Sequence, residues 1–116
     1  MSASAGFRQF LTEQMAGFGP VAIKPMFGGA GVFRDGLMFA LVVDDALYLK
    51  ADSETAKAFE AEGLAPFTYA TKNGRRTLTS YRRAPERCLD DSDEMADWCR
   101  KAYGVALSSQ KGRSQK

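Results

Sequence analysis

The sequence predicts an α+β domain: a mainly antiparallel sheet of five or six strands with an N-terminal and a C-terminal helix packed on it. Three observations carry this. Apolar residues recur at helical spacing near both ends of the chain. Between them the period shortens to two. The short apolar runs there are joined by turn dipeptides, which leave no room for the long crossover that parallel pairing requires.

In the first helix Phe7, Phe10, Leu11, Met15 and Phe18 fall on one stripe, Ser4 is placed to cap it, and Gly19-Pro20 stops it. Val21 to Lys24 reads as a short strand that breaks near Pro25. Ala30–Phe33 and Leu37–Val43 flank Arg34-Asp35-Gly36, and Asp-Gly between apolar runs is a strong hairpin signal. A second turn at Asp44-Asp45 leads to Ala46–Lys50, completing a meander. Phe39, Leu41 and Val43 share a face by strict alternation and read as core.

Asp52 or Ser53 is placed to cap a second helix that ends at Gly63. Phe67–Ala70 and Arg75–Tyr81 form another hairpin around Lys72-Asn73-Gly74, and Pro85 suits the first turn of a short helix. Asp91-Ser-Asp-Glu94 has the form of a capping arrangement, and Met95, Trp98, Cys99, Ala102 and Tyr103 follow it as an apolar stripe. From Ser108 onward no apolar residue remains. The expected organisation is therefore one domain over residues 1–107 and a disordered basic tail over 108–116.

The 116 residues carry 16 basic and 14 acidic groups. Lys111, Arg113 and Lys116 of the tail account for three of the bases, so the body holds 13 bases against 14 acids and is near neutral. No apolar run approaches the ~18 residues of a membrane span, and the start has neither the basic nor the apolar region of a secretory signal; the expected address is the cytoplasm. Cys88 and Cys99 are too few for a disulfide framework and too far apart for Cys-x-x-Cys, and read as small buried hydrophobes.

The chain contains no histidine, which excludes Ser-His-Asp and Cys-His chemistry and histidine-ligated metal. Gly28-Gly29-Ala30-Gly31 fails as a dinucleotide fingerprint because Arg34 stands at the third glycine position, and a strand follows in place of a helix. These glycines read as a turn or bulge. The acids from Asp90 to Asp97 read as capping and a solvated face rather than a metal site. No catalytic residue, metal or cofactor is expected.

Two binding surfaces remain. Met26-Phe27 beside Gly28-Gly29 is an apolar pair at a turn, and Phe27 reads either as core against Phe10 or Phe18 or as an exposed anchor. Arg75, Arg76, Arg82 and Arg83 lie near Tyr69 and Tyr81, a composition that suits nucleic acid. Alternation, however, sends Arg75 and Arg83 one way and Arg76 and Arg82 the other, which favours an edge-protecting hairpin paired with the acids downstream.

The stretch Met26-Phe-Gly-Gly-Ala-Gly-Val-Phe33, then Asp35-Gly-Leu-Met-Phe-Ala-Leu41 and Asp44-Asp-Ala-Leu-Tyr-Leu-Lys50, resembles the N-terminal domain of the TfoX (Sxy) regulators of bacterial competence. Phe67-Thr-Tyr69, Gly74-Arg-Arg76, Ser80-Tyr81 and Pro85 to Leu89 continue the match, which runs from about Phe7 to about Leu107. The resemblance implies an α+β domain without known catalytic residues, linked to activation of DNA-uptake genes together with the cyclic-AMP receptor protein. The regulators continue into a C-terminal domain; a stand-alone N-terminal domain is the expectation here. The function this supports is a non-catalytic regulatory module that binds a protein, such as a transcription factor or a second copy. Nucleic-acid binding through the Arg75–Arg83 hairpin is the alternative.

Overall fold

A computed structural model of the chain describes residues 4–114 apart from Phe27. Helix α1 (Ala5–Gln14) precedes a meander of β1 (Ala22–Met26), β2 (Gly29–Arg34), β3 (Leu37–Val43) and β4 (Ala46–Lys50). Helix α2 (Ala56–Ala61) leads to the hairpin of β5 (Pro66–Thr71) and β6 (Gly74–Arg83), and a 3₁₀ turn (Glu86–Leu89) precedes α3 (Ser92–Ser114). The six strands form one sheet in the order β1-β2-β3-β4-β6-β5, with every neighbouring pair antiparallel. The predicted α+β class and strand number hold.

Local chemistry explains the boundaries. The Ser4 hydroxyl accepts from the Phe7 amide at 3.2 Å and starts α1. Asp35 and Gly36 both take positive φ, 52° and 79°, as do Asp44 and Asp45 at 53° and 55°. These two-residue turns match the twist of the strands they join. Asp52 accepts from the amides of Glu54 and Thr55, and Thr55 returns a bond to the Asp52 amide, so the turn ahead of α2 is capped reciprocally. Asp91 does the same service for α3 by accepting from Asp93 and Glu94.

Two boundaries differ from the sequence reading. Strand β1 runs through Pro25, which pairs with Ala30. It can do so because β1 is an edge strand, where a missing N–H breaks no ladder. Helix α3 continues to Ser114, well past the last apolar residue, Leu107. Apolar periodicity marks only the part of a helix that packs; beyond it each added residue still gains a backbone bond without a new nucleus.

The helices lie on one face of the sheet. Leu11 of α1 and Met15 at its C-cap, Phe59 of α2 and Met95 and Cys99 of α3 bury against Val32, Ala40, Val42, Leu47 and Leu49. Phe39 joins them because β3 bulges: Val32 pairs with Ala40 but the next residue, Phe33, pairs with Met38, which leaves Phe39 extra. Its ring lies 5.2 Å from Phe18 and 5.9 Å from Tyr103. Arg34 closes this corner, with its guanidinium 4.6 Å from the Phe18 ring and donating to the Phe18 carbonyl. Phe10, by contrast, is 36% exposed and stacks only on Phe7 within its own helix, so the stripe predicted for α1 is narrower than five residues. Cys88 and Cys99 are free and buried, and burial pushes their thiols up to about 11 and about 12. No helix among the described residues is long and apolar enough to cross a membrane.

Candidate interaction surface

The other face of the sheet carries no helix among the described residues. Which side chains reach it is decided by two irregularities. The β3 bulge turns Phe39 toward the helices, so Leu41 and Val43, expected to share its face, line the opposite one with Met38. The second irregularity lies in β6. Phe67 of β5 pairs with Leu78, yet the adjacent Pro66 pairs with Arg82, so β6 advances four residues while β5 moves one. Alternation inverts across that step.

The inversion corrects the expected disposition of the arginines. Arg76 sits opposite Tyr69 and Arg83 opposite Tyr48, and these aromatics are linked through Phe67 by ring contacts of 4.9 and 5.6 Å. Arg76 and Arg83 therefore share the open face. Arg82 sits opposite the core residue Leu49 and reaches Glu60 of α2 at 3.3 Å. Arg75, one residue from Arg76, points away from the open face. The four arginines do not form one cluster.

The open face is a shallow groove of about 580 Å³. Met26 and Met38 form one side; their sulfurs lie so near Gly31 that a Cβ there would meet them at 2.7 and 2.8 Å. Leu41 and Val43 are the floor, and Phe67, Tyr69, Leu78 and Tyr81 the far wall. Tyr69 and Leu78 are 39% and 37% exposed. Tyr81 is deeper, and burial raises its phenol above the ordinary value. The Phe67 and Tyr69 rings are nearly parallel, at 17°, and stack on each other.

Charge on this face has one sign. The strands hold Lys24, Arg34, Lys50, Arg75, Arg76, Arg82 and Arg83 and not one aspartate or glutamate. Every acid lies in a helix, turn or connection. On the open face Lys24 sits 5.3 Å from the Phe33 ring, Lys50 lies 5.1 Å from Tyr81, and Arg83 lies 5.9 Å from Tyr48. Among the described residues no ion pair engages Arg76 or Arg83.

The acids instead meet cations on the helix layer. Arg87 donates two bonds to Glu62, at 2.6 and 2.8 Å, and one to Glu94 at 2.9 Å, while the Trp98 indole donates to Glu94 at 3.1 Å. The Arg87 bond holds the Glu62 carboxyl below its usual range. This is the pairing with the acidic helix start that the sequence suggested, carried by Arg87 and not by the hairpin tip. No group of acids and thiols among the described residues is arranged to hold a metal.

Of the remaining candidates, Met26 lines the groove, while Gly28, at φ 78°, is the β1–β2 turn. Gly29 lies against the Val42 carbonyl with no room for a side chain, the close approach expected of it. Phe27 lies outside the described residues. Sequence reasoning missed Met38, Leu41, Val43, Phe67 and Leu78 as surface residues, because their alternation looks like core. The signal that could have found them was the absence of acids from six consecutive strand segments.

The chain matches the TfoX N-terminal domain over residues 13–106. It is also 34% identical over 58 residues to the DNA transformation protein TfoX1 of Aliivibrio fischeri (strain ATCC 700601 / ES114). That stretch covers 50% of this chain and 28% of the relative, so the two share a part of one domain and the relative extends well beyond it. The TfoX domain family is not a known enzyme family. With four-fifths of its length accounted for by that domain, the chain belongs to the TfoX N-terminal domain family.

Proposed function

We propose that this domain is a competence-related regulatory module that works by binding a protein partner on the open face of its sheet, without catalysis. The observation that supports this best is the groove itself. An apolar sheet face left without a covering layer is unusual in a monomer and is commonly an interaction site. The relative's name, a DNA transformation protein, supports a role in DNA transformation; a transcription factor is the class of partner that the family resemblance implies.

The test is affinity capture from the native cell, comparing the parent with Tyr69→Ser. Retention of a protein by the parent and its loss in the variant is the expected result. Equal retention by both would move the binding site elsewhere.

Nucleic acid is the second reading, and Arg76 and Arg83 on one face beside aromatics give it support. It requires affinity for duplex DNA to fall with salt by a log–log slope of about −0.9 per phosphate contact. We expect no binding tighter than about 10⁻⁵ M at physiological salt, the non-specific level.

A further inference from the structure

We infer that the occupant of the open face is an acidic amphipathic α-helix presented by a partner protein. This rests on the reading that the domain works by binding, and specifies the chemistry of what it binds.

The edges of the sheet are poorly suited to a partner strand. The outer strands are β1 and β5, and each contains a proline, Pro25 and Pro66. A proline lacks the N–H that an added strand would need, and edge prolines oppose edge-to-edge pairing. A partner is therefore directed to the face. There the groove offers two methionines, Met26 and Met38, whose flexible thioethers adapt to the apolar stripe of a docked helix.

Charge then selects among helices. The open face carries Lys24, Arg76 and Arg83 around an apolar floor and contains no acid, so a helix flanked by aspartate and glutamate is complementary and a basic one is repelled. The same argument opposes a second copy packed face to face, which would bring Arg76 and Arg83 of both copies together. Single-stranded nucleic acid would share the charge preference, but stacking needs exposed ring faces. Phe67 and Tyr69 spend one face of each ring on the other, and Tyr48 also packs against Phe67, which leaves fewer faces for bases.

The experiment is a selection of displayed helix-forming 18-residue peptides against the intact chain. Their apolar stripe is fixed as leucine, and their flanking positions sample Asp, Glu, Lys and Arg equally. The proposal expects acidic flanks to be enriched. Selected peptides should bind at least ten times more weakly to Arg76→Glu and to Tyr69→Ser, two exposed positions whose variants are confirmed folded by urea denaturation. No enrichment, enrichment of basic flanks, or binding unchanged in both variants overturns it. A twelve-residue oligothymidylate that binds more tightly than the selected peptides and is lost in Arg76→Glu also overturns it, in favour of single strands. So does sedimentation of the parent as a dimer that Tyr69→Ser dissociates. If the selection fails while cellular capture still depends on Tyr69, the helix is wrong and the binding module stands; if capture is also indifferent to Tyr69, both fall.

Discussion

The two faces of this sheet are built from the same six strands yet follow different rules. On the helix side Val32, Ala40, Val42, Leu47 and Leu49 are fully or almost fully buried, and Arg34 and Arg82 there are tied to a carbonyl and a carboxylate. On the open side the apolar residues are methionines, aliphatics and aromatics, most of them partly exposed, and Arg76 and Arg83 meet no carboxylate among the described residues. The first pattern is that of a closed core, where buried polar groups find partners, with Arg8 Nε the exception. The second has the ingredients of an interface, where adaptable apolar side chains and cations wait for complementary groups. The contrast separates stability from recognition along the strand normal, and mutations can test it one face at a time.

The largest effect should come from the covered face. Phe39 is fully buried against Phe18 and Tyr103, and truncating such a side chain costs about 3–5 kcal/mol. That is a large part of the roughly 5–15 kcal/mol available to a domain of this size. Phe39→Ala should have a urea midpoint far below the parent; a midpoint within error would mean that the helices do not close this face.

Next is Gly29→Ala. A methyl group there would collide with the Val42 backbone, and a rigid strand cannot yield as a side chain can. The expected loss is about 1–3 kcal/mol, read from the same denaturation curve. A neutral substitution would show that β2 and β3 are less closely apposed at this end.

The Arg87 network gives a smaller, pH-dependent effect. Glu62 is held below its usual value near 4.5 by the Arg87 hydrogen bond. Its contribution is therefore present at neutral pH and is lost as pH falls through the depressed folded value. Glu62→Gln should reduce the drop in urea midpoint between about pH 6 and pH 3 relative to the parent. An unchanged drop would assign the acid sensitivity to other carboxylates, Asp52 first, whose carboxyl is also held low by the Thr55 amide.

The smallest effect on stability should come from the open face, where Tyr69→Ser is expected to change it by about 0.5 kcal/mol or less. Its consequence is for partner capture. A loss as large as that of Phe39→Ala would erase the distinction between the faces.

Much of the fold was legible in the sequence because its signals are local. Ser4, Asp35-Gly36, Asp44-Asp45 and Asp91 each act on backbone within a few residues, and each does what its chemistry suggests. The surface was harder to read because it depends on two bulges. Strict alternation put Leu41 and Val43 with Phe39 and put Arg75 with Arg83, and both assignments fail at a register shift. Nothing in a single sequence marks where a strand gains an extra residue, since the bulge is set by what the partner strand can pair with. Pro25 misled for a related reason: whether proline breaks a strand depends on whether that strand is at an edge, which is a property of the whole sheet.

The step in β6 has a further consequence for how this domain can change. Because four residues of one strand are spanned by one of its neighbour, a deletion of a single residue between Leu78 and Arg82 would restore ordinary alternation on one side of the cut. Arg82 would then stay on the side of α2 and Arg83 beside Tyr48, because the three-residue spacing left between Leu78 and Arg82 sends those two to opposite faces under plain alternation. The irregular step and a regular strand one residue shorter therefore write the four arginines onto the same sides of the sheet. Straightening β6 at its present length would instead carry Arg82 out to the open face and Arg83 under α2, so the irregular step is a parity bit that composition does not record.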